Sequence, residues 1–268
     1  MEFLEDILTL EPSATKEINL IGARLPNSKD VYFRSKQKEI IEQYSAARIF
    51  IVETENEDWE HWFDSVEDAT TQQYFQSTFK AYFYETALMF YNIVVDLSWV
   101  ICYMCAEFAL TQKGERVDFG KIQPIEEAYE MMRSAEKLVT NPNAETNPFE
   151  YLRNMCPEFA TAIDMIIDFW NTFGNSNIRY MYNFCKHKGK SAYIEIEDLK
   201  SRRFMGFYQE SRTGNRIQLA SDASDVRMRC SLDDAIKELL QFDNEALYPY
   251  ISNLFEKLEK VLSPSPFV

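Results

Sequence analysis

From Val66 to about Thr111 the chain runs without proline or glycine, and apolar and aromatic side chains recur at helical spacing among good helix formers. The run predicts one long central helix of about 40 residues, roughly 60 Å at about 1.5 Å per residue. Ser65 to Asp68 reads S-x-x-D, a capping pattern placed directly before it. Upstream, a Pro26-Asn27-Ser28 turn precedes helical material from about Ser35 to Thr54. Downstream, Pro124 to Val139 is again amphipathic and ends in the loop "TNPNAETNP". Glu150 to Cys156 reads as a short helical turn. Pro157 then opens "PEFATAIDMIIDFWNTF", Gly174 closes it, and a second helix follows, carrying "NIRYMYNFCKHKGK", Asn177 to Lys190.

After Gly189 the period shortens. "SAYIEIEDL", "RRFMGFYQES" and "NRIQLAS" alternate apolar and polar residues, with the turn signal "RTGN" between the last two. Two or three antiparallel strands are expected over about 191–229. Ser231 offers a second S-x-x-D cap, and the chain finishes in the helices "LDDAIKELLQF" and "PYISNLFEKLEKVL" before a short tail, 263–268. The pattern therefore divides into an N-terminal helical extension, 1–64, and a mainly α body, 65–262, with a small β-hairpin insertion before its last helices.

Ala87 to Cys105 is nearly long enough to span a bilayer, with Asp96 as its sole charge. A carboxylate at the centre of such a run costs about 2.5–3.5 kcal/mol on insertion scales, so a buried core helix is the better reading. Within that helix Asp96 needs a partner, because an unpaired buried carboxylate costs several kcal/mol. A tryptophan, tyrosine or serine of the core would serve, as would Arg179 or His187. The N-terminus carries three acids in its first six residues and no basic stretch, so it does not read as a signal peptide, and a cytoplasmic location away from membranes is expected. Five scattered cysteines do not make a disulfide framework, and Cys102 and Cys105 lie in so apolar a run that they read as buried small hydrophobes.

Seven glycines, with no G-x-G-x-x-G and no G-x-x-x-x-G-K-[ST], exclude the motif-bearing dinucleotide and P-loop sites. The formal charge of −15 repels nucleic acid and anionic membrane in bulk. It is unevenly spread: Arg179 to Arg229 is +5 and the remainder −20. A nucleic-acid contact, if made, belongs to that segment, with Lys188, Lys190, Arg202 and Arg203 as its candidate phosphate-binding cations. The same cations also suit a merely solvated face.

At about 100° per residue, Arg179, Tyr182, Asn183, Lys186 and His187 share an arc of about 140° on one helix, while Ile178, Met181 and Cys185 point elsewhere. The polar members suit phosphodiester chemistry in RNA. A histidine titrating near neutrality can take a proton from the ribose 2′-OH or give one to the leaving oxygen, while Arg and Lys neutralise the phosphate and Asn orients it. No metal or cofactor is required. Lys186, Lys188 and Gly189 equally suit a helix C-terminus, but Asn183 and Arg179 lie further inside it. His61, among acids and tryptophans, has no ligand-spaced companions and reads as a packing or surface residue.

"NFCKHKG", Asn183 to Gly189, following a helix and a turn, resembles the N-x-x-K-H signature of the HEPN superfamily (higher eukaryotes and prokaryotes nucleotide-binding). The resemblance is specific over about ten residues and looser over the helical pattern from about Ser65 to Leu262. It implies an HEPN-like antiparallel helical bundle that forms a homodimer. It also implies a metal-independent endoribonuclease of a toxin–antitoxin or phage-defence system, with His187, Arg179, Asn183 and Lys186 catalytic and Asp96 and Tyr182 supporting. Other members lack activity and bind a nucleotide or a partner protein. Where the signature places arginine this chain has Tyr182, and Arg179 stands one turn before it.

Overall fold

The computed structural model describes residues 28–56, 58–105, 127, 130, 157–199, 208–210, 216–218 and 227–262. The segments expected to form the helix from Pro124 to Val139, the loop after it and the turn from Glu150 to Cys156 lie largely outside the described residues. In chain order the helices are α1 (Ser28–Asn56), α2 (Ala69–Cys105), α3 (Ala160–Phe173), α4 (Asn177–His187), the single turn α5 (Ile194–Glu197), α6 (Leu232–Phe242) and α7 (Tyr248–Leu262). The strands are β1 (Ala192–Tyr193), β2 (Tyr208–Glu210), β3 (Arg216–Gln218) and β4 (Arg229–Cys230). The protein is mainly helical. No helix among the described residues is long and apolar enough to cross a membrane.

α2 begins at Ala69 rather than inside the S-x-x-D pattern, because Asp68 and not Ser65 is its cap. Asp68 Oδ2 accepts the Thr71 amide at 2.7 Å and the Thr71 hydroxyl at 2.6 Å. These two bonds, the hydroxyl's first, hold the Asp68 carboxyl below its usual value. Ser231 caps α6 as its sequence predicts, its hydroxyl accepting the Asp234 amide at 3.2 Å.

The chain divides into two compact units, and α1 and α2 each contribute to both. The first comprises Met1–Ala46, Phe90–Ser176 and Asp243–Val268. Within it α3 packs against α7 through Phe169, whose ring stacks on Tyr250 at 3.9 Å between centroids. Trp99 meets Trp170 edge-on at 4.4 Å, and the Ser98 hydroxyl bonds that of Tyr250 at 2.8 Å. Between α6 and α7 the chain makes a π-helical turn, Asp243–Leu247. It places the fully buried Asp243 carboxylate where Tyr44 and Tyr91 each donate a phenol hydrogen, at 2.7 and 2.8 Å. α3 ends at Gly174, whose amide donates to Trp170 O at 2.7 Å; a Cβ there would lie 3.0 Å from that oxygen and 3.2 Å from the Trp170 ring.

The second unit comprises Ala47–Met89 and Asn177–Phe242. Trp59, Phe63, Phe79 and Phe83 form an aromatic cluster here, tied to α1 by the Trp59 indole donating to Glu53 O at 2.7 Å. α4 packs on α6, and Asn177 Nδ2 donates to Glu238 Oε2 at 2.7 Å. β2 and β3 form the antiparallel hairpin that the "RTGN" turn predicts, pairing Tyr208 with Gln218 and Glu210 with Arg216.

"SAYIEIEDL" is a strand over two residues only, and its pairing is not the antiparallel one expected. Its first two core residues form β1, which pairs in parallel with β4, and Ile194 to Glu197 coil into α5. The coil buries Ile196 while Ile194 stays 39% exposed, so the two isoleucines do not share the one face that a strand would give them. It also delivers Glu195 to the N-terminus of α6. There the carboxylate accepts the Leu232 amide at 2.8 Å, the Ser231 hydroxyl at 2.8 Å and the Asp233 amide at 3.4 Å. Burial acts to raise the Glu195 carboxyl, but these bonds outweigh it and hold it below its usual value.

Candidate functional site

α4 is amphipathic, and with the exception of Tyr182 its two sides differ in burial as the spacing requires. Ile178, Met181 and Tyr182 are buried, while Asn183, Lys186 and His187 are exposed. The helix stops after His187. Lys188 N and Gly189 N both turn back to Phe184 O, at 2.8 and 3.2 Å, and Gly189 takes φ 121°, a conformation that favours glycine. Lys188 and Lys190 flank that turn and are exposed. The predicted C-cap is thus present, and it leaves Lys186, His187, Lys188 and Lys190 as a run of solvent-facing nitrogens.

Tyr182 departs from the exposed face on which its spacing places it. Its ring is 6% exposed, with the Arg179 guanidinium 5.1 Å and the Lys186 ammonium 5.4 Å from its centroid. The arc of about 140° is wide enough for its edge to turn into the core. A long amphipathic ring satisfies that edge, burying its body while holding cations over its face. Arg179, Tyr182 and Lys186 are therefore one stacked group, and Asn183 and His187 stand beside it in solvent.

The chemistry open to this face follows from position. The His187 side chain is exposed and makes no hydrogen bond or ion pair among the described residues. It can exchange a proton with a bound phosphodiester while Lys186 and Lys188 offset phosphate charge. Arg179 and His187 are eight residues apart, about 12 Å along the axis. Tyr182 lies between them.

Asp96 is half-buried in the α2 segment of the first unit, whereas Arg179 and His187 belong to the second. Arg202 and Arg203 lie outside the described residues. So do the side chains of Cys102 and Cys105, although their backbone completes α2. His61 is exposed beside Trp62, the ring centroids 6.2 Å apart. Among the described residues, no group of three or more His, Cys, Asp or Glu is placed to hold a metal ion.

Sequence reasoning missed a second cluster in the same unit. Glu85, near the middle of α2, accepts the Tyr193 phenol at Oε1, 3.0 Å away. Burial pushes the Glu85 carboxyl up, while the Lys190 ammonium and the Tyr193 bond act against the shift. Burial likewise pushes the Cys185 thiol up to about 11, with Glu85 adding to the shift, and it raises Cys230. Tyr84 and Tyr193, edge to face at 6.2 Å, are raised for the same first reason. The Ser191 hydroxyl, buried near both thiols, finds no hydrogen-bond partner of good geometry among the described residues. The available signal was the one that singled out Asp96: Glu85 is the sole charge in the aromatic run "AYFYETALMFYNIVV". No family model, curated protein or solved structure matches the chain.

Proposed function

We propose that this protein is a metal-independent endoribonuclease of the HEPN type, working as a homodimer in the cytoplasm within a toxin–antitoxin or phage-defence system. The observation that carries the reading is the exposed end of α4. Asn183, Lys186 and His187 face solvent together, in the N-x-x-K-H spacing of that family, on a helix closed by Gly189. His187 is the general acid–base, Lys186 and Arg179 stabilise the phosphorane and Asn183 orients the phosphate. Lys188 and Lys190, with Arg202 and Arg203, hold the flanking backbone. The mainly helical fold agrees with the bundle that the family implies.

The experiment is RNA cleavage by the full chain in EDTA. Wild type is expected to cleave, and His187→Ala to lose about 100- to 10,000-fold in rate. Equal cleavage by both removes His187 from the mechanism.

One observation favours a second reading, a catalytically inactive HEPN-like module that binds a partner protein or nucleotide. Tyr182, at the position of the motif arginine, is buried under two cations rather than offered to a substrate. That reading predicts no cleavage under any condition and a nucleotide or partner retained in native mass spectrometry.

A further inference from the structure

The turn at Gly189 carries the chain away from the His187 helix and onto α2. There the Lys190 ammonium lies 3.9 Å from the centroid of the Tyr82 ring, closer than either cation held over Tyr182. Tyr82 stays 47% exposed with that charge over it, so the ring keeps area for a second flat group. Behind it the backbone is fixed: Ser191, Ala192 and Tyr193 are buried, β1 pairs with β4, and Tyr193 is bonded to Glu85 one turn along α2 from Tyr82.

We infer that Tyr82 and Lys190 form a stacking platform for an unpaired base of single-stranded RNA, with Lys190 and the exposed Lys188 and Lys186 meeting the phosphates on either side. This deepens the ribonuclease reading and rests on it. Three features select this occupant. The exposed run from Lys186 to Lys190 holds three lysines and a histidine and no acid, in a chain of net charge −15, so the local charge suits a polyanion. A half-exposed aromatic ring beside lysines is what single-strand binding requires, since every base offers a π-face and the backbone needs cations at base-step intervals. A duplex cannot use the ring, because its bases are already stacked. The platform therefore selects single strands or loops, three residues along the chain from His187.

The test uses the full chain carrying His187→Ala, so that the probe survives, and a fluorescein-labelled single-stranded RNA of about twelve nucleotides, within the usual site size. Adding Tyr82→Ala is expected to weaken binding by about 5- to 100-fold, while Tyr82→Phe binds as the parent does. Binding of a duplex of the same length is expected to be unchanged by either. Adding Lys190→Ala is expected to weaken binding and to flatten its salt dependence by about one phosphate contact.

If the parent binds the single strand and Tyr82→Ala binds it equally well, the platform is wrong and the ribonuclease reading stands. If the parent binds neither strand nor duplex, the platform fails together with the RNA-binding role of this face. If Tyr82→Ala leaves RNA affinity intact but shifts the sedimentation of the free protein, the ring belongs to a protein contact and the inference is overturned.

Discussion

The guanidinium of Arg179 and the ring of Tyr182 are stacked within one turn of α4, 5.1 Å apart, with the ring buried beneath the charge. The pairing fixes what each residue can do. Tyr182 is a pedestal that holds Arg179 and Lys186, and it does not itself reach a phosphate. An arginine at 182 would place a third cation in a nearly buried position between two others. Tyr182→Arg is therefore expected to destabilise the fold by about 3 kcal/mol, the order of the cost of an uncompensated buried charge. Tyr182→Phe should stay within about 0.5 kcal/mol of wild type. Urea unfolding of the three proteins decides it: a Tyr182→Arg midpoint at or above wild type would show that the site is built for arginine after all.

Asp243 concentrates the polar interactions of the first unit's core. Its two oxygens accept the phenols of Tyr44 and Tyr91, and all three side chains are essentially inaccessible. Replacing the carboxylate with a methyl group would strand two buried donors, each costing about 1–3 kcal/mol. Asp243→Ala is thus expected to lose about 3–5 kcal/mol, or to fail to fold, whereas Asp243→Asn keeps one acceptor oxygen and loses less. Thermal unfolding monitored by tyrosine near-ultraviolet circular dichroism reports on this cluster. Equal melting temperatures for the two variants would contradict the assignment.

The elements legible in the sequence were those fixed by neighbours along the chain. α2 follows from an uninterrupted stretch without proline or glycine, the hairpin from "RTGN", and the stop of α4 from Gly189. At "SVED" the S-x-x-D capping box does not form: Ser65 is not the cap, and Asp68 takes that place by accepting both the Thr71 amide and the Thr71 hydroxyl outside the motif. At "SAYIEIEDL" the alternation fits a strand and one helical turn alike. What decides it is the set of free amides at the start of α6, 37 residues from Glu195 to Leu232. The Glu85–Tyr193 bond joins residues 108 apart, so no periodicity could place it. The five residues of the α4 face were legible as a group because a helix fixes their relative angles. The burial of Tyr182 was not, since it depends on what α4 packs against.

Glu195 joins α5 to α6 by accepting the first amides of α6. Its carboxyl lies below its usual value in the folded chain, so the ionised form carries the stabilisation. That contribution is complete above the unfolded carboxyl value, about 4.3, and is lost as pH falls through the lower folded value. Glu195→Gln is expected to cost about 1 kcal/mol at pH 7, the scale of a lost N-terminal cap on a partly solvated site. The gap should close as pH falls through the lowered folded value. Urea midpoints taken across that range check it, and a gap independent of pH would mean that the carboxylate's charge has no part in the joint.

Glu85 predicts the opposite slope. Burial raises its carboxyl above the usual value, Lys190 and the Tyr193 bond only partly resisting, so folding favours the protonated form. Stability is then fullest below about pH 4 and declines as pH rises through the raised value, because the folded chain releases its proton later than the unfolded one. Glu85→Gln keeps an oxygen for the Tyr193 phenol and removes the ionisation. It should match wild type at low pH and exceed it at pH 7 by less than about 1 kcal/mol, a modest figure because solvent reaches part of the carboxylate. In a Lys190→Ala background the advantage should grow, since a cation that eases the ionised form is gone. A Glu85→Gln protein less stable than wild type at pH 7 would show instead that the attraction of Lys190 outweighs burial and that the carboxylate is held ionised.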